Sequence, residues 1–345
     1  MIVERPEGLY CPAGDFYVDP WSPVRKAIIT HAHSDHARTG MESYLAVVDG
    51  NAILRSRLGD QAAIQWVRYG ESIRVGDALV SLHPSGHMTG AAQVRIEVQG
   101  RVSVISGDYK RQSDPTCPSF EPIPCHLFVT ESTFGLPIYS WFDTREEIEG
   151  IATWWRSNRE AGKSSILFAY SIGKTQRLMA ELQSYEIPMV GHGAILESVA
   201  AYRSCGVPLP EVKAVHEKGP GESWSEYLLW APPSAQNSPW LKRFGNVSTA
   251  TASGWMRVRG VRKRRGCDRG FVISDHVDWQ GLMETIREVR CEEVWVTHGY
   301  TETVVRYLKE LGLSAKEVRT QFQGETAGDA NELAGSEQED GGLES

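Results

Sequence analysis

The run His31-Ala-His33-Ser-Asp35-His36 places three imidazoles and a carboxylate within six residues, directly after the apolar stretch Ala27-Ile-Ile-Thr30. Donors so closely spaced on a turn that follows a strand can face one concave site. Imidazole mixed with carboxylate is a donor set that zinc, manganese and iron all accept. Further donors stand where other apolar runs end: His87 in Ser85-Gly-His-Met-Thr-Gly90, Asp108 in Ser106-Gly-Asp108, and His298 in Val296-Thr-His-Gly299. The remaining histidines carry weaker patterns. His83 packs or faces solvent, and His126 and His216 have no partner pattern. His192, in Gly191-His-Gly193, is open between a phosphate-facing loop and a helix-entry turn.

The elements that must carry these groups read as a run of strands and helices. Short apolar runs at 27–30, 101–106 and 126–130 are buried strands. Thr144 with Glu147 makes a capping box for a helix reaching about Arg159. A strand at 165–170, a helix at 174–184, a strand at 188–191 and a helix from 194 follow, and this βα alternation implies a parallel sheet. Strands at 270–274 and 293–297 each precede a helix, and no internal repeat interrupts the pattern.

A chain of 345 residues, 41% hydrophobic, is one large domain or two ordinary ones with a real core. The mean hydropathy of −0.33 and the lack of a long charge-free apolar run exclude a membrane span. The amino-terminal segment has no apolar secretory core, and the six scattered cysteines lack CxxC pairs. Both are expected of a reduced, cytoplasmic protein. A net charge of −8, taken whole, argues against a nucleic-acid partner. That charge is segregated, however. Residues 324–345 hold seven acidic groups and no Lys or Arg, and read as a disordered tail whose deletion leaves catalysis intact. Arg257 to Arg269 holds seven basic residues and one acid, a phosphate-binding block or a solvated loop. Lys174 and Arg177, at the start of a helix, are a phosphate contact or ordinary helix capping. The Gly173-Lys-Thr there is no Walker A loop, because Phe168 stands where its first Gly is required.

The ordered array HxHxDH, then His, Asp and His, resembles the metallo-β-lactamase fold, in which two sheets are sandwiched between helices. The resemblance implies one metal on His31, His33 and His87, a second on Asp35, His36 and His298, and Asp108 bridging them. Two cations about 3.5–4 Å apart activate a shared water and clamp phosphoryl oxygens in an in-line displacement. Asp19, in Tyr17-Val-Asp-Pro20, resembles the family's upstream aspartate and would orient ligands; a turn aspartate before proline is the plainer alternative.

Three further segments resemble the β-CASP nuclease branch. Thr130-Glu131-Ser-Thr-Phe-Gly135 matches its first motif, Ser274-Asp-His276-Val-Asp278 its second and His298 its third. By that resemblance Asp35, Glu131 and His276 are catalytic, and His276 protonates the leaving oxygen after hydroxide attacks phosphorus. The branch inserts an α/β domain between its first two motifs. The implied fold is therefore an αββα sandwich at 1–136 and 266–323, an inserted β-CASP domain at 137–265, and the acidic tail at 324–345, with a strand-sized cleft between the domains. Arg262, Lys263, Arg264 and Arg265 would then join Lys174 and Arg177 as nucleic-acid contacts near that cleft. Trp255 stacks on a base or fills the core.

The Tyr10-to-Asp19 segment, Ala252-Ser-Gly-Trp-Met256 and Ser274-Asp-His276 resemble the bacterial DNA ligase-associated exonucleases most closely, over about residues 8 to 322. That subgroup implies an exonuclease trimming single-stranded or frayed DNA ends in repair. It also implies two divalent ions, zinc first and manganese second, and DNA ligase and helicase partners, with no membrane. His298 is the residue that RNA-processing members carry at the third motif, so an RNA 3′-end-processing endoribonuclease is the alternative.

Overall fold

The computed structural model describes residues 2–318 and 320, apart from 142, 220 and the side chain of Arg265. The acidic segment 324–345 lies outside the described residues. The described chain divides into two compact units. The first runs through Ser140 and resumes at Asp275; the second spans Trp141–Arg203 and Val207–Ser274.

The first unit opens with six strands: β1 (Val3–Arg5), β2 (Gly8–Cys11), β3 (Phe16–Val18), β4 (Lys26–Ile28), β5 (Ser43–Val47) and β6 (Ile64–Val67). They lie side by side in chain order, antiparallel through β3 and parallel from β3 to β6. Helix α1 (Asn51–Leu58) connects β5 to β6. A second sheet begins with the antiparallel ladder β7 (Ser72–Val75), β8 (Ala78–Pro84), β9 (Ala92–Val98) and β10 (Arg101–Ile105), then adds β11 (Leu127–Ser132) in parallel.

The second unit holds an all-parallel sheet of β12 (Ser164–Phe168), β13 (Met189–Gly191), β14 (Val212–Ala214), β15 (Leu228–Ala231), β16 (Val247–Ala252) and β17 (Arg269–Phe271), in the order 14-13-15-12-16-17. One face is covered by helices α2 (Thr144–Glu160), α3 (Lys174–Glu181) and α4 (Gly193–Ser204), which pack Trp155, Leu178 and Ile195 against Leu167 and Trp230. The other face buries Ile166, Phe168 and Leu229 under the turns that carry Ala235 and Phe244. The cap of α2 differs from the expected box: Asp143 precedes the helix and its carboxylate accepts from the Arg145 amide at 2.9 Å. A short helix, α5 (Arg259–Arg265), carries the basic block. The unit boundary falls at Ser274 instead of 265, because β17 pairs with β16 in the second unit's sheet.

On return to the first unit come α6 (Trp279–Glu288), β18 (Glu293–Gly299), α7 (Thr301–Glu310) and β19 (Ser314–Glu317), with β18 parallel to β11 and to β19. The seven-stranded sheet then reads 19-18-11-10-9-8-7. Its residues alternate faces, as a pleated strand requires. Val129 and Trp295 enter the core shared with Leu9, Val18 and Leu45 of the first sheet, while Phe128, Val294 and Val296 meet α6 and α7. The first unit is therefore two face-packed sheets with helices on an outer face. The turn after β4, the β8–β9 loop, the loop after β10 and the carboxyl ends of β11 and β18 supply the site.

Candidate metal centre

The turn after β4 brings His31 and His36 inward, and both are buried. Their ring centroids lie 4.1 Å apart, and His33 and His87 are each 4.7 Å from His31. The loop after β10 delivers Asp108, whose two oxygens face different neighbours. Oδ2 lies 3.5 Å from His31 Nε2 and 3.9 Å from His87 Nε2, whereas Oδ1 lies 3.5 Å from His36 Nε2. His31, His33, His87 and Asp108 thus form one donor group, and His36, Asp108 and His298 a second. Asp35 Oδ2 sits 3.6 Å from His36 Nε2 beside the second group. A third group, Asp108, Glu131 and His276, shares the same aspartate. His276 Nδ1 meets Glu131 Oε2 at 2.9 Å and Asp108 Oδ2 at 3.9 Å.

The backbone needed for this convergence is unusual. Asp19 and His298 adopt left-handed φ values of 44° and 51°, which non-glycine residues take only when their surroundings hold them there. The Ser132 hydroxyl donates to the His298 carbonyl, and a Cβ on Gly299 would come within 2.3 Å of the Ser132 carbonyl oxygen. At Gly107 (φ 55°), a Cβ would meet the Thr30 side chain at 2.7 Å, so the approach to Asp108 admits only glycine.

Hydrogen bonds fix the ring orientations. His36 Nδ1–H donates to Asp19 Oδ2 at 2.7 Å, which turns Nε2 toward Asp108. Asp19 also accepts from the Thr30 amide at 2.8 Å and from the Thr30 hydroxyl at 2.5 Å. Having donated its proton, that hydroxyl accepts from His31 Nδ1–H at 3.0 Å. Asp19 and Thr30 therefore set the tautomers of one histidine in each group. Sequence reasoning missed Thr30, although its place immediately before the HxHxDH run was a visible signal. It also missed the Tyr109 amide, which donates to Glu131 Oε1 at 2.9 Å.

The electrostatics of this donor set fit cations. Burial, reinforced by neighbouring imidazoles, drives His31 and His87 far below the usual histidine pKa, and burial brings His298 down to about 4. Burial pushes Asp108 up to about 7 against the pull of His36. His36 goes the other way: burial opposes its charge, but Asp108 and Asp35 outweigh that and raise it. Burial also opposes the charge on Glu131, yet His276 outweighs it and keeps that carboxylate below its ordinary range. The cluster mostly presents lone pairs, and among the described residues His31 Nε2 and His36 Nε2 are buried with no hydrogen-bond partner. A buried polar atom left that way is costly unless something else completes it, as a divalent cation would.

The cationic candidates fall into two sets. Arg262, Lys263 and Arg264 are exposed on α5, while the side chain of Arg265 lies outside the described residues. Lys174 and Arg177, expected as phosphate contacts, are 2% and 1% exposed. Arg177 gives its donors to the Ser274 carbonyl at 2.8 Å, Glu181 at 3.1 Å and the Thr144 hydroxyl at 3.3 Å. The Gly173 amide donates to Gln176 Oε1 at 2.9 Å, so helix capping describes this segment. Trp255 is buried in the core. His126 Nδ1 accepts from the Val102 amide, and His83 sits between Ser81 and Glu121.

Curated relatives carry names that bear on this geometry. The chain is 29% identical over 318 residues to a probable DNA ligase of Opitutus terrae, a match covering 91% of this chain and 30% of that protein. It is 28% identical over 124 residues to the endoribonuclease YSH1 of Saccharomyces cerevisiae, covering 35% of this chain and 16% of the relative. Cleavage and polyadenylation specificity factor subunit 3 of Dictyostelium discoideum matches at 26% over 146 residues, 41% of this chain and 19% of the relative. These similarities are consistent with a β-CASP metallo-β-lactamase nuclease. The chain spans less than a third of the length of these curated relatives. No family model matches the chain. Its fold is shared with a protein of unknown function from Enterococcus faecalis, at a TM-score of 0.57, 13% identity, and coverage of 87% of this chain and 80% of that one.

Proposed function

We propose that this chain is a metal-dependent nuclease that trims DNA ends exonucleolytically, on single-stranded or frayed substrate, in concert with a DNA ligase. The observation that carries the reading is Asp108, whose two oxygens face two separate buried imidazole groups. His31, His33 and His87 would hold one cation, Asp35, His36 and His298 the other, and Asp108 would touch both. Bound there, zinc or manganese would supply an activated water and neutralise phosphoryl charge. Asp19 and Thr30 orient His36 and His31 through their Nδ1 protons. Glu131 accepts from His276 Nδ1, leaving Nε2 to deliver a proton to the departing oxygen. The β-CASP architecture, with the second unit as the inserted domain, belongs to the same proposal.

A relative named as a DNA ligase, matching 91% of this chain, supports DNA ends as substrate and a ligase as partner. A helicase partner rests on the subgroup resemblance and a cytoplasmic setting on the six scattered cysteines without CxxC pairs; among the described residues no helix is long and apolar enough to cross a membrane. The exposed face of α5 would contact the strand backbone. His298 and the relatives named as endoribonucleases favour RNA cleavage as the second reading. End-labelled DNA and RNA strands of matched sequence, incubated with zinc or manganese, test both. Wild type is expected to shorten DNA and His33→Ala to leave it intact. Equal inactivity of both proteins on every strand would sink the nuclease reading, and a strong RNA preference would install the second.

A further inference from the structure

Asp108, Tyr109 and Lys110 are consecutive, and each reaches a different part of the centre. Asp108 faces the imidazoles, the Tyr109 amide holds Glu131, and Lys110 is fully buried at 0% exposure. A buried ammonium persists only where opposite charge and hydrogen bonds meet it. Lys110 Nζ lies 2.5 Å from Asp114 Oδ2 and 3.8 Å from Asp275 Oδ1. Asp114 is fixed independently, since its Oδ1 accepts from the Thr116 amide at 2.8 Å and hydroxyl at 2.6 Å. Asp275 is the end that bears on chemistry. Its carbonyl accepts from His87 Nδ1–H at 2.8 Å, and its neighbour is His276. One residue therefore joins a charge contact on its side chain to a tautomer-setting contact on its backbone.

We propose that Lys110 is a positioning residue, whose ammonium anchors the Asp275 carboxylate so that the Asp275 carbonyl keeps His87 as the Nδ1–H tautomer. His87 Nε2 then keeps its lone pair, directed at His33 Nδ1 3.2 Å away within the His31, His33 and His87 group. The metal half of this statement rests on the nuclease reading; the tautomer half does not. Without Lys110, two buried carboxylates face each other across the emptied space, and their repulsion drives Asp275 off the His87 ring. The His36 and His298 group takes its ring orientation from Asp19 instead, through His36 Nδ1–H, and is expected to keep its donors.

The test compares wild type with Lys110→Met, Lys110→Arg and Asp275→Asn, the last of which removes the gripped charge that holds the backbone carbonyl in position while keeping that carbonyl chemically intact. In metal-free protein, imidazole nitrogen shifts should show His87 as a single Nδ1–H tautomer in wild type and Lys110→Arg. Lys110→Met and Asp275→Asn should lose it. In zinc titrations, those two variants should weaken one of two binding events by about 10–100-fold and spare the other. An unchanged His87 tautomer in both overturns the proposal, even if melting temperatures fall, because Lys110 is then an ordinary structural ion. If Lys110→Met does not fold, Asp275→Asn decides alone. Wild type that binds no zinc and cuts no strand overturns the nuclease reading, while the His87 shifts still decide the role of Lys110.

Discussion

The strand-end cluster of the first unit and the cationic segments of the second place charge on opposite terms. In the cluster, ionisable groups are buried or half-buried and held by neighbours: Asp19 alone accepts from Thr30 twice and from His36. On α5 the charges are exposed, with Arg262 Nε donating to the Met256 carbonyl. Lys174 and Arg177 share the residue types of α5 and the burial of the cluster. Charge type alone therefore says little about role until burial is known. A buried ion must be satisfied from within, and is costly to remove. An exposed one contributes little to stability and is available to a partner.

The largest test of the comparison is Asp108→Ala. It removes a carboxylate common to all three donor groups. Cleavage of labelled DNA should fall by about 10³-fold or more, since metal positioning is worth several kcal/mol at the transition state. Bound metal, measured per chain, should fall with it. Full metal content with normal turnover would show that the cluster is a structural polar knot.

Arg177→Ala comes next and separates the two regions from the other side. If Arg177 is an internal tie, its loss strands Glu181 and the Ser274 carbonyl. Stability in urea should then drop by about 3 kcal/mol, near the lower figure for breaking a buried pair because Glu181 keeps some water. A phosphate contact predicts the reverse: unchanged stability and weaker binding.

The sequence made the cluster legible because ligand chemistry restricts residue types and loop geometry restricts spacing. His31, His33, Asp35 and His36 needed only a strand before them. His298 and Asp108 were legible because parallel strands end at one edge, and β10, β11 and β18 are parallel neighbours. Asp143 was displaced by Thr144 as the expected cap because either side chain can accept from a first-turn amide, and only the backbone angle chooses. Lys174 and Arg177 misled for a different reason. All of Lys174–Met179 is buried, so α3 has no water-facing stripe there, and local sequence cannot report a neighbour on every side. Thr30 was overlooked because its position before the HxHxDH run is a weak signal until Asp19, His31 and His36 are seen around its hydroxyl.

That hydroxyl gives the third prediction. Thr30→Val keeps the shape and deletes the oxygen, leaving His31 Nδ1–H without its acceptor and Asp19 with one donor fewer. Metal affinity or turnover should fall by about 10–100-fold, the usual cost of losing a group that orients a ligand. Thr30→Ser should recover most of it. Equal loss in both variants would point to packing of the methyl group, which meets Gly107.

The smallest effect belongs to α5. Arg262→Ala, Lys263→Ala and Arg264→Ala combined should leave the melting temperature within error, because none of the three side chains is buried. If they contact a single strand, each neutralised phosphate releases counterions, and the slope of log affinity against log salt should become shallower by about 2. The loss should be similar for every sequence, since phosphates carry no base identity. An unchanged slope would mean that the basic block is only a solvated surface. Nucleic-acid binding would then have to come from the buried cluster and its rim, and the division between a satisfied interior and an available exterior would no longer describe this chain.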